Sequence, residues 1–182
     1  MKNTRFMVLM FFLAFCLGSI WSAQGQTNKD LNSVHARLAK EVRHALIMIP
    51  NYNLFDNFEF EISGVDTVTL YGQVTRPTLK SDAERVVRNI EGVGKIVNKI
   101  EILPVSPSDD RIRNAAYRAI FSKPGLDRYA MRAVPPIHII VKNGSITLVG
   151  VVANEMDKNL AGMAAKEVPG TFGVTNNLKV GN

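Results

Sequence analysis

A reaction would have to be sought at three histidines, His35, His44 and His138, or at the aspartate pair Asp109 and Asp110. His35 and His44 lie nine residues apart in a helical pattern, not at the i, i+4 spacing that sets two metal ligands side by side. His138 falls on a strand, on the face opposite Ile137 and Ile139. Each histidine is expected to be solvated or partly covered. Asp109 and Asp110 stand just ahead of a helical run, where an N-cap and a favourable contact with the helix dipole account for them. Glu59 and Glu61 share the outer face of a strand and need no active site. The single cysteine, Cys16, sits in an apolar leader, so the rest of the chain has no thiol for a disulfide, a metal or nucleophilic attack. Phosphate loops, nucleophile elbows and metal spacings are absent from the sequence. These residues predict a protein that is not an enzyme and needs no cofactor or metal.

Binding is the remaining chemistry. Residues 111–132, "RIRNAAYRAIFSKPGLDRYAMR", hold Arg111, Arg113, Arg118, Lys123, Arg128 and Arg132 against one acid, Asp127, a local charge of +5. Phe121, Leu126, Tyr129 and Met131 are interleaved with them. Cations beside rings suit anionic lipid headgroups, where each near-surface cation contributes on the order of 1 kcal/mol and aromatic rings settle at the interface. The competing reading is a solvated helix face with Tyr129 or Met131 filling the core. The lipid-contact candidates are Arg111, Arg113, Arg118, Lys123, Arg128, Tyr129, Met131 and Arg132. "GTFG", residues 170–173, matches the GxxG pattern of nucleic-acid-binding KH domains but lies between a helix and a strand and is uncharged. It reads as a helix C-terminal turn, and no nucleic-acid partner is expected.

The elements that must position these residues are written twice. "VTLYGQV" (68–74) returns as "ITLVGVV" (146–152), and "IEGVGKIVNKIEI" (90–102) as "VPGTFGVTNNLKV" (168–180), at a constant offset of 78. The offset pairs Gly72 with Gly150, Gly92 with Gly170 and Asn98 with Asn176, a sign of an internal repeat. In each copy apolar residues first recur at helical spacing, as in Val34, Leu38, Val42, Leu46 and Ile49 or Ile112, Ala116 and Ile120. Two alternating runs joined by a glycine-bearing turn follow, a hairpin signal. A second helix then carries Leu79, Ala83 and Val87, or Leu160, Met163 and Ala164, with a capping box predicted at residues 81–84. A last strand places Ile96, Ile100 and Ile102, or Val174, Leu178 and Val180, on one face. The pattern predicts an α+β fold of two tandem αββαβ modules, each a three-stranded mixed sheet packed against two helices. The modules are expected over 31–103 and 109–181, with a short stiff linker at 104–108. Gly72 and Gly150 fall on the apolar side of their strands, where a missing side chain would let a helix approach closely; Gly92 and Gly170 are likewise read as structural.

Residues 1–25 have the layout of a cleaved secretory leader, with Lys2 and Arg5 before an apolar run and small residues after it. A retained membrane anchor and a lipoprotein anchored at Cys16 are the alternatives. The whole chain carries +6, and without Lys2 and Arg5 a surplus of +4 remains. The outer sheet faces also differ. Glu59, Glu61, Thr69, Tyr71, Gln73, Lys99 and Glu101 make the first polar. His138, Ile140, Val149 and Val151 make the second apolar, which predicts a cover. That cover would be the other module, a second subunit or a client polypeptide.

The repeat resembles the BON domain, the bacterial osmotic-stress and nodulation module. "DDRIRNAAYRAI", "IHIIVKNGSITLVGVV" and "VPGTFGVTNNLKV" carry the resemblance in the second copy; "LAKEVRHAL", "TVTLYGQV" and "IEGVGKIVNKIEI" carry it in the first. The first copy departs from the pattern in its longer "NYNLFDN" loop. The resemblance implies an exported, periplasmic, non-enzymatic protein that binds phospholipid membrane peripherally and maintains the envelope under stress. Envelope proteins are further partners it would imply. A chaperone-like module holding clients on the second outer face is the alternative function, and oligomeric state is left open.

Overall fold

A computed structural model describes residues 21–132 and 134–181, with side chains from residue 31 onward. The leader expected over 1–25 lies outside these but for its last five residues. The chain runs α1 (Trp21–Ile47), β1 (Asn57–Ser63), β2 (Thr67–Val74), α2 (Pro77–Arg88), β3 (Lys95–Asn98) and β4 (Glu101–Ile102). It continues as α3 (Pro107–Phe121), α4 (Asp127–Ala130), β5 (Ile137–Lys142), β6 (Ser145–Val152), α5 (Glu155–Lys166) and β7 (Gly173–Val180). In the first sheet β2 is central, antiparallel to β1 and parallel to β3 and β4. In the second, β6 is antiparallel to β5 and parallel to β7. The fold is α+β, in two tandem modules with mixed sheets.

Apolar spacing explains the layers. Val42 and Leu46 of α1 and Leu79, Ala83 and Val87 of α2 are buried against Val68, Leu70 and Val74 of β2, and Leu38 of α1 is buried as well. Ile112, Ala116 and Ile120 of α3 and Ala161, Ala164 and Ala165 of α5 close over Ile139, Ile146 and Leu148. Each fully buried Leu, Ile or Val contributes roughly 1.5–3 kcal/mol, so each module has a core of its own. The last strand of the first module breaks at residues 99–100. Ile102 is therefore exposed rather than in the core, and Leu103 takes the inward place. Met163, expected on the apolar side of α5, is also exposed.

The paired asparagines explain part of the repeat. Asn98 Nδ2 donates to Lys80 O at 2.9 Å, and Asn176 Nδ2 to Lys158 O at 2.7 Å. Their Oδ1 atoms accept from Ile100 N and Leu178 N, both at 3.2 Å. One side chain thus pins the last strand to the second helix, twice.

Three expectations are corrected. Gly72 and Gly150 do not admit a helix. Their φ angles are 115° and 128°, and an added Cβ would lie 2.0 Å from Asn57 O or 1.9 Å from Pro136 O, the backbone of the neighbouring strand. Glycine is required there by both strain and space. The second helix starts at Pro77, not at residues 81–84: proline's fixed φ and missing N–H suit the first turn. Ser81 Oγ instead donates within the helix to Thr78 O at 3.1 Å. Asp109 is not an N-cap. Ser106 caps α3, and buried Asp109 accepts from Asn143 N at 3.0 Å and Gly144 N at 2.8 Å, tying α3 to the β5–β6 turn.

Candidate interaction surfaces

The basic segment divides when folded. Arg113 lies on the core side of α3 beside Ile112 and Ala116, and its guanidinium donates to Val141 O at 2.8 Å and pairs with Asp110. Tyr129 is buried, donating to Asp157 Oδ2 and accepting from Ala153 N at 2.8 Å. Arg128 pairs with Asp157 and lies over the Tyr129 ring, 4.9 Å from its centre. Lys123 reaches Glu167 at 2.8 Å. All four have partners within the module; Arg113 and Tyr129 are covered, whereas Arg128 stays exposed and Lys123 partly so. Arg111, Arg118 and Arg132 are exposed and have no carboxylate partner among the described residues, and Met131 is 85% exposed.

Two hollows flank Arg118. One, of about 690 Å³, lies between α3 and the turn after α5 and is lined by Arg111, Asn114, Pro169 and Gly170. The other, also of about 690 Å³, is lined by Tyr117, Phe121, Ala130 and Met131 of α3, α4 and the residue after it. Arg118 belongs to both, a cation with no carboxylate partner among the described residues, shared by a depression of mixed lining that holds a second arginine and a mostly apolar one. "GTFG" begins in the turn beside the first hollow, after α5 and before β7, as the sequence predicts.

The apolar outer face of the second module is half covered by the first module. The loop before β1 sends Tyr52 onto His138, ring centres 5.5 Å apart, with Phe58 stacked behind at 4.9 Å. Leu54 O accepts from Ile139 N at 2.7 Å, and Leu54 and Phe55 pack against the second core. Lys142 and Glu101 form a further bridge between the modules at 2.5 Å. His138 is consequently buried and Ile140 is buried too, whereas Val149 is half-buried and Val151 is exposed. His138 is thus not solvated: burial holds its pKa below the ordinary 6.5, against the opposing pull of Asp56 and the Asn53 and Asp56 backbone. Its Nδ1 has no hydrogen-bond partner and its Nε2 lies 3.4 Å from the Tyr52 hydroxyl, whose own pKa burial raises. Sequence reasoning missed Tyr52, Leu54 and Phe55 as contact residues. The available signal was three large apolar side chains in a loop that had no helix or strand to bury them.

His35 Nε2 donates to Gly64 O at 2.6 Å, and His44 is exposed. Among the described residues no group of three His, Cys, Asp or Glu could hold a metal, and no helix is long and apolar enough to cross a membrane.

The family model described as "BON domain" matches residues 35–104 and again 108–182. Among curated proteins, none matches. Among solved structures, the chain is similar to CdsD, a structural protein of the type III secretion system of Chlamydia trachomatis, at 12% identity and a TM-score of 0.30, covering 80% of this chain and 94% of that one. The C-terminal domain of CdsD gives 13% identity, a TM-score of 0.28, and coverage of 79% and 96%.

Proposed function

The chain belongs to the BON domain family, whose modules bind rather than catalyse and have a phospholipid-binding or envelope-associated role, and from that premise we propose that it is a non-enzymatic protein of the periplasm that lies peripherally on anionic phospholipid membrane and helps maintain the envelope under stress. The observation that carries the reading is Arg118, without a carboxylate partner among the described residues, between a mixed hollow that holds Arg111 and a mostly apolar hollow with Tyr117 and Met131. Two arginines beside a mostly apolar depression match the two ends of a phospholipid, an anionic head and an acyl chain. Arg132 extends the charge past the loop. At about 1 kcal/mol per near-surface cation, three free arginines give on the order of 3 kcal/mol of salt-sensitive attraction, enough for reversible but not permanent attachment.

The test is co-sedimentation with vesicles of phosphatidylcholine alone or with phosphatidylglycerol, at low and high salt. Anionic vesicles should retain the protein at low salt and release it at high salt, and Arg118→Glu should weaken retention about tenfold or more. Equal retention by neutral and anionic vesicles at low salt sinks the proposal.

A further inference from the structure

The half of the second outer face that the first module leaves open borders a groove of about 810 Å³ between the modules. Val149 and Val151 form one side, and residues 57–60 of β1 form the other. Four successive residues of one strand include both of its faces, so the strand presents its edge to the groove. No second strand pairs with that edge: β2 is β1's one neighbour, and no backbone bond from elsewhere reaches residues 57–63 among the described residues, although the Tyr52 hydroxyl meets the Phe58 amide and leaves the stretch from Glu59 onward as the open part. A row of alternating N–H and C=O groups is a template for another extended backbone, and an acyl chain or headgroup cannot satisfy it in register.

Charge then narrows the occupant. Arg43, Lys158 and Lys179 line the groove against a single acid, Glu59, which accepts from Asn57 Nδ2 at 2.9 Å. Arg43 is held over the Phe60 ring at 5.7 Å, and Lys158 is 3.7 Å from Glu155. Lys179 is exposed with no carboxylate partner among the described residues. A second copy of this chain, net positive with or without Lys2 and Arg5, would bring like charge to this site. We propose that the groove takes an extended acidic polypeptide segment of another protein, added as a strand on β1, with apolar side chains on Val149 and Val151 and carboxylates toward Arg43 and Lys179. The site lies apart from the α3 hollows and does not depend on the lipid reading.

The probe is an acetylated heptapeptide of alternating glutamate and valine, compared with its lysine–valine counterpart, titrated against the full chain by fluorescence anisotropy. The acidic peptide should bind about tenfold or more tightly than the basic one, and Lys179→Glu and Val151→Glu should each weaken it about tenfold. Both positions are exposed, and unchanged circular dichroism verifies folding. Hydrogen exchange of residues 58–60 should slow when the acidic peptide binds. Arg118→Glu should leave peptide binding unchanged while lowering vesicle retention, which keeps the two sites distinguishable. Equal binding of the two peptides, no change in exchange at 58–60, or protection that arises without peptide as a dimer forms in the ultracentrifuge would each overturn the proposal.

Discussion

Where β2 leaves the first sheet, the Thr75 amide donates to the buried carboxylate of Asp56 at 2.6 Å; where β6 leaves the second, the Ala153 amide, 78 residues on, donates to the Tyr129 hydroxyl at 2.8 Å. Asp56 also accepts from Thr75 Oγ1 at 2.8 Å and from Asn53 N at 3.3 Å. Tyr129 leans on Asp157, which engages Arg128 as well. A repeated backbone repeats its unsatisfied groups, because a buried N–H left without an acceptor costs about 1–3 kcal/mol. The side chain that meets the need is free to differ, and that freedom decides what remains for binding. In the first module the supporting loop has Tyr52, Leu54 and Phe55 to spare, and they dock on the second module. In the second module the same duty consumes Tyr129 and Arg128, leaving Arg111, Arg118, Arg132 and Met131 outward.

The largest effects should come where the modules are alike. Gly72→Ala and Gly150→Ala each force a Cβ onto a neighbouring carbonyl at an unfavourable φ, and each should cost about 3 kcal/mol or more in urea unfolding. Tolerance of one but not the other would break the equivalence of the two strands. Next come the differing supports. Asp56→Ala should cost about 2–3 kcal/mol and Tyr129→Phe about 1–2 kcal/mol, since a buried carboxylate with three donors loses more than a hydroxyl. Hydrogen exchange should show the Thr75 amide speeding up in the first variant and the Ala153 amide in the second, without exchange of roles.

Acid should weaken the junction. The neutral His138 ring is favoured in the docked state, so the unfolded chain binds a proton that the folded chain resists. The stability it contributes is complete above about 6.5, the ordinary value, and is lost as pH falls through the lowered one. Tyr52 and Asp56 face the ring from the first module, and Val149 is its cross-strand neighbour in the second. Unfolding followed from pH 7.5 to 5 should show a decline that His138→Phe flattens; an unchanged decline would mean that another group is responsible. The smallest effect belongs to Arg118→Glu, which should alter stability by no more than about 0.5 kcal/mol while changing vesicle binding, as befits a surface side chain without partners.

Helices and strands were legible because periods of 3.6 and 2 reflect which side of each element is buried, as Leu38, Val42 and Leu46 or Ile146 and Leu148 demonstrate. The α4 turn was not, since four residues carry no period. The candidate surface was legible only as a charge surplus: one-dimensional spacing cannot tell Arg118, without a carboxylate partner among the described residues, from Arg113, folded against Val141 O. Nor could it foresee that Asp109, next to Asp110 in the chain, would turn inward to hold a hairpin.

By itself the sequence determined a duplicated α+β module, its cores and its repeated glycines and asparagines, because each of these rests on local geometry or on burial patterns a few residues long. Tertiary structure alone decided which cations stay free, that the first module covers half of the second one's apolar face, and that β1 lines an open groove. Those outcomes depend on competition between partners 28 to 86 residues apart, and such competition is settled only when the elements pack.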